Sequence, residues 1–190
     1  MRAVVGFALA VLAAPRTEGQ ATWGALRFGM TPEEAKAVLG DRAKAGSPSK
    51  DAPPDELVLE VSSVKVGDVA GTGRLIFAGS PSRLKQVSLD FTRAGEGHLA
   101  HGYTVSEQLK TVRVVSDQLV EKYGKPTIEK GTWPSSKELT QQLVSQSMRG
   151  LEAERMWKTS GQIIKEWLRV LLDSVFLIVS YKPVDAESEI

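Results

Sequence analysis

The chain has 190 residues, 42% of them hydrophobic, with 24 basic and 23 acidic side chains, 17 Gly and 9 Pro. That balance is ordinary for a globular protein and excludes a disordered, collagen-like or multi-span membrane chain; the length suits one domain, or two small units sharing a core. Cysteine and asparagine are both absent, which removes disulfides, thiolate metal sites, cysteine nucleophiles, a lipid-bearing N-terminal cysteine and N-x-[ST] glycosylation together.

Met1-Arg2 is followed by about twelve apolar residues, Ala3 to Ala14, then by Pro15 and the small residues of Gly19-Gln20-Ala21. A run of that length fits the core of a signal peptide and falls short of the roughly 20 residues needed to span a bilayer. Residues 1–21 are therefore expected to be a signal peptide cleaved after Ala21, with Val11-Leu12-Ala13 as a second possible site and a buried N-terminal element as the alternative. Cleavage takes Arg2, Arg16 and Glu18 with it, leaving 22 basic and 22 acidic side chains. A neutral exported body has no net field with which to gather nucleic acid. No nucleic-acid partner and no stable membrane span are expected, and the location is periplasmic or secreted.

Thr31-Pro32-Glu33-Glu34 is a strong helix start, with a capping residue, proline in the first turn and a carboxylate three positions after the cap. Ala35, Val38 and Leu39 give the apolar face, and Gly40 ends it. Residues 41–56 lack periodicity and read as loop. Three strand-like runs follow: Leu57 to Ser62, Arg74 to Ala78, and Leu84 to Phe91, with Gly71-Thr72-Gly73 and Gly79 to Ser82 read as the turns between them. Thr104 and Glu107 open a longer helix over Val105 to Tyr123, stopped by Gly124 and Pro126. Ser135 to Met148 suits a shorter helix. Glu154 to Lys158 and Val175 to Lys182 read as strands.

Residues 162–172 read both ways. Ile163/Ile164, Trp167/Leu168 and Leu171/Leu172 recur every four residues, as in a helix. As a strand, the same residues put Ile164, Leu168, Val170 and Leu172 on one face and Lys165, Trp167 and Arg169 on the other. The hairpin punctuation of Ser160-Gly161 and Asp173-Ser174 favours the strand. The expected class is α+β, an antiparallel sheet with helices on one face, and the layout leaves open a duplicated helix-plus-meander unit. The units would span 22–95 and 96–183, joined near 93–104, with a frayed tail at 184–190.

Trp23 to Glu34, closing in Val38-Leu39-Gly40, resembles the G-M-T opening of small exported bacterial domains, the SmpA/OmlA outer-membrane-assembly lipoproteins and the β-lactamase-inhibitor-protein-like superfamily. Leu119 to Pro126 is similar to the way a helix ends in that group, and Trp157 with Val175 to Tyr181 to its closing hairpin. The resemblance implies helical elements on an antiparallel sheet, sometimes duplicated, and a role in binding another protein. It also departs from the lipoproteins: there is no cysteine to carry a lipid, and Asp41 stands where they lead towards proline.

Complete catalytic constellations are missing from the sequence. His98 and His101 lie three apart in a Gly-flanked loop, with neither the further ligands a metal needs nor an adjacent nucleophile. Ser-x-x-Lys occurs at Ser47/Lys50, Ser62/Lys65 and Ser82/Lys85 without the partner motifs of a penicillin-recognising hydrolase. Gly67, Gly71 and Gly73 fit no phosphate-binding loop. Glu33/Glu34, Asp55/Glu56 and Glu152/Glu154 read as helix-start or solvated charge. No catalytic residue, metal or cofactor is expected. The remaining candidate is a ligand-anchoring patch of Trp157, Lys165, Trp167 and Arg169; as an alternative, Trp157 belongs to the core and Trp167 covers the sheet edge. The expected function is an exported, non-enzymatic binding module with an envelope protein as partner. An envelope hydrolase and a structural envelope component are the alternatives.

Overall fold

A computed structural model describes residues 23–92, 105–134, 150–171 and 174–184. The expected signal peptide, His98, His101, the expected cap at Thr104, the expected helix over 135–148 and the tail from residue 185 lie outside the described residues.

Helix α1 (Pro32–Leu39) begins with a reciprocal cap: the Glu34 N–H donates to Thr31 Oγ1 at 3.2 Å and the Thr31 N–H to Glu34 Oε2 at 2.8 Å. Two donors that the first helical turn leaves free are thereby satisfied. A 3-10 turn (Gly40–Arg42) and strand β1 (Ala43–Ala45) follow, within the stretch expected to be loop. The expectation fails because three residues are too few to show an alternation. Strand β1 exists through its pairing with β2 (Leu57–Val66), which sets Lys44 opposite Glu60.

Strands β2, β3 (Val69–Ala78) and β4 (Arg83–Asp90) form an antiparallel meander. Gly71-Thr72-Gly73, expected as a turn, lies inside β3. The glycine is there for space: a Cβ on Gly71 would come within 2.5 Å of the Asp90 carbonyl oxygen and 2.6 Å of the Phe91 ring. Such close backbone approach is a common reason for glycine within a strand.

Helix α2 (Val105–Tyr123) has the predicted bounds, and Gly124, at φ 78°, closes it by donating its N–H to the Val120 carbonyl at 2.8 Å. A second three-residue edge strand, β5 (Ile128–Lys130), was not anticipated, for the same reason as β1. Strands β6 (Leu151–Lys158), β7 (Gln162–Val170) and β8 (Val175–Pro183) make the second meander. The ambiguous segment is thus a strand. It is paired along both edges, to β6 and to β8, and that pairing overrides the four-residue recurrence.

The eight strands form one antiparallel sheet in the order β1-β2-β3-β4-β8-β7-β6-β5, an α+β fold. Each half runs helix, short edge strand, three-strand meander, and the halves join where β4 pairs with β8, Leu89 opposite Val179. A single apolar core lies between the sheet and the helices. Ala35 and Leu39 of α1 and Leu109, Val112, Val115 and Leu119 of α2 pack with Val61, Leu75, Val87, Ile164, Leu168 and Leu177 of the sheet. Among the described residues, no helix is long and apolar enough to cross a membrane.

Candidate functional site

Cross-strand partners share a face of a sheet, so the register of β6, β7 and β8 decides where each candidate side chain stands. Trp157 pairs with Ile164, and Ile164 with Tyr181, all inside the core. Trp157 is 2% exposed, and its Nε1–H donates to the Gly124 carbonyl at 2.8 Å. It therefore ties the end of α2 to β6, and the four-residue patch is corrected: Trp157 does not stand with the other three.

Lys165, Trp167 and Arg169 do stand together, on the opposite face. Trp167 lies between Glu154 of β6 and Ile178 of β8, Lys165 between Met156 and Ser180, and Arg169 between Glu152 and Phe176. Trp167, Ile178, Phe176 and Met156 are half-buried, whereas Lys165 and Arg169 are exposed. Arg169 Nε meets Glu152 Oε1 at 3.4 Å, an exposed pair that holds the guanidinium beside the indole at little net energy. The result is an apolar centre ringed by both signs of charge.

The carboxylate pairs have separate, ordinary duties. Glu34 caps α1, Asp55 Oδ2 accepts the Gly79 N–H at 2.9 Å, and Glu152 pairs with Arg169. Ser47 and Lys50 lie in the connection after β1, and Ser62 and Lys65 lie within β2. Among the described residues, no three of His, Asp and Glu gather as metal ligands would.

The core face holds a group that the sequence reading passed over. Along β7 the inward positions are Gln162, Ile164, Glu166, Leu168 and Val170, so the alternation that buries the aliphatic residues also buries a carboxyl. Glu166 is 0% exposed. Ser116 of α2 donates its hydroxyl to Glu166 Oε1 at 2.6 Å, while Oε2 has no partner among the described residues. Burial is the main reason the carboxyl is pushed up from an ordinary 4.5 to about 7; the Ser116 hydrogen bond and the Arg155 charge pull the other way, and Glu129 and Asp117 add to the rise.

Arg155, opposite Glu166 on β6, pairs with Glu129 at 2.6 Å and lies over the Trp133 ring, 4.5 Å from its centroid. A cavity of about 210 Å³ beside them is lined by Arg113, Ser116, Asp117, Trp133 and Arg155 among others. Tyr181, also buried, has its phenol driven above its usual range by desolvation and stays protonated. The Ser116–Glu166 contact joins α2 to β7 through the core. The signal for it was present in the sequence as a charged residue at an inward position of a strand.

No protein-family model, curated protein or solved structure matches this chain.

Proposed function

We propose that the protein is an exported binding module whose open sheet face docks a partner protein of the bacterial envelope, with Trp167 as anchor. The observation that carries this reading is the placement of Trp167 in the β6-β7-β8 half of the sheet, on the face opposite the described helices, beside Ile178 and Phe176 and flanked by Lys165 and Arg169. A large aromatic side chain next to arginine, surrounded by groups that exclude water, is the composition of an interface hot spot. Both signs of charge border it, so the fitting partner presents a mixed surface rather than a polyanion.

The test is photo-crosslinking in the producing cell from a crosslinker placed at exposed position 165, beside the anchor. A discrete adduct is expected, absent when the crosslinker replaces exposed Val38 on α1 and weakened by Trp167→Ala. No adduct at 165, or the same adducts at both positions, rejects the reading.

Export rests on the apolar run before Pro15. Intact mass and N-terminal sequencing of protein from the producing cell are expected to give Thr22 as the first residue. A chain starting at Met1 in the cytosol overturns the location.

A further inference from the structure

A second feature of the open face lies at its other end, with β4 and β8 between it and Trp167. There β1, β2 and β3 form a recess of about 310 Å³, bordered by Arg42, Lys44, Glu60, Ser62, Thr72 and Arg74 among others. Lys44 and Arg74 flank Glu60 across the sheet, and Arg42 sits at the end of the 3-10 turn leading into β1. Among the lining residues Glu60 offsets one of the three positive charges, and Asp90, paired opposite Thr72, stands at the β4 border of the recess. Among the described residues, none of the three cations forms an ion pair.

Two of the cations are held in place. Arg42 Nε donates to the Leu39 carbonyl at 3.4 Å and Arg74 Nη2 to the Ser47 carbonyl at 2.7 Å, so the remaining N–H groups of each guanidinium stay available. The backbone adds to the arrangement. Between Val61 and Val64, two residues of β2 face one of β3, and Ser63 takes φ 57°, a left-handed value that serine rarely adopts. This bulge brings the Ser62 hydroxyl, which donates to the Arg42 carbonyl at 3.4 Å, beside Thr72.

We propose that this recess binds a phosphate-type oxyanion, with Arg42, Lys44 and Arg74 as its cationic ligands and Thr72 as a hydroxyl donor. Cations outnumber carboxylates in the lining, which suits an anion. The donors also outnumber what the two oxygens of a carboxylate accept, whereas a tetrahedral oxyanion presents more oxygens and takes paired N–H groups from arginine. The oxyanion can belong to a free small molecule or to a lipid headgroup, and the experiment separates these sources. The site is independent of partner docking at Trp167.

The probe is inorganic phosphate, titrated at constant ionic strength while the amide resonances of the mature protein are followed by NMR. Saturable shifts are expected at Ser62, Ser63 and Thr72, with none for acetate over the same range. Arg74→Gln and Lys44→Gln should each weaken binding by about ten-fold or more, while Lys36→Gln, on α1, leaves it unchanged. Dispersion of the amide spectrum shows whether each variant is folded, and Lys44 lies on an exposed three-residue edge strand that tolerates replacement. In a parallel flotation assay, binding to vesicles containing phosphatidic acid, but not to phosphatidylcholine vesicles, and lost in Arg74→Gln, assigns the headgroup; phosphate saturation without vesicle binding assigns a free ligand. An absence of saturation, equal saturation by acetate, or equal weakening in all three variants overturns the proposal.

Discussion

Wild-type protein and Glu166→Gln should differ in stability by about 1 kcal/mol or less at pH 5 and by about 3 kcal/mol at pH 8, with the variant the more stable. The sign follows from the folded carboxyl titrating near 7 and the unfolded one near 4.5. Between these values the folded state holds a proton that the unfolded state has released, so stability falls as pH rises through the window. The slope is about 1.4 kcal/mol per pH unit, and it ends above the folded value. Glutamine keeps the oxygen that accepts from Ser116 and cannot ionise. Urea unfolding at pH 5, 6, 7 and 8 is the measurement, and the readout is the difference between the two proteins, because His98 and His101 are common to both. Parallel curves would show that Glu166 does not titrate as described.

Trp157→Ala should cost about 3–5 kcal/mol, the range for truncating a large buried aromatic side chain. Trp167→Ala, on the half-exposed face, should cost about 1 kcal/mol or less. The contrast comes from position within the sheet. Trp157 fills the core and holds the Gly124 carbonyl at the end of α2. Trp157→Phe separates the two contributions, since it keeps most of the volume and gives up the hydrogen bond, a loss of about 1 kcal/mol or somewhat more. Denaturant unfolding of the three variants at one pH supplies the test. Equal costs for positions 157 and 167 would contradict the assignment of the two faces.

Much of the architecture was legible in the sequence, and for identifiable reasons. Both helices carry local stop and start signals, so the bounds of α2 and the reciprocal cap of α1 could be read directly. The long strands were legible through alternation. Strands β1 and β5 were not, because three residues carry no period and their structure comes from a partner distant in the chain. Gly71 and Gly73 misled because turns and close strand packing both favour glycine. The grouping of Trp157 with Trp167 failed on parity. The inward face of β6 includes Arg155 along with Ala153 and Trp157, so polarity alone does not reveal which face is buried; pairing with Ile164 does. Glu166 was missed in the complementary way, since a charged residue within an inward row was passed over rather than placed.

The strand order also constrains how the chain reaches its native state. Within each meander, neighbouring strands follow one another closely in sequence, so their pairing closes only short loops. The β4–β8 pairing instead joins Leu89 to Val179, 90 positions apart, and directly matches only four residues on each side. Closing so long a loop has a high entropic cost and little ladder to offset it until α2 has packed beneath the seam. Each half can thus organise locally, while cooperativity between them depends on the central strand pair and the core that both helices share. Substitutions at the seam, such as at Leu89 or Val179, therefore act mainly on the coupling between halves, whereas those within a meander act on one half's own assembly.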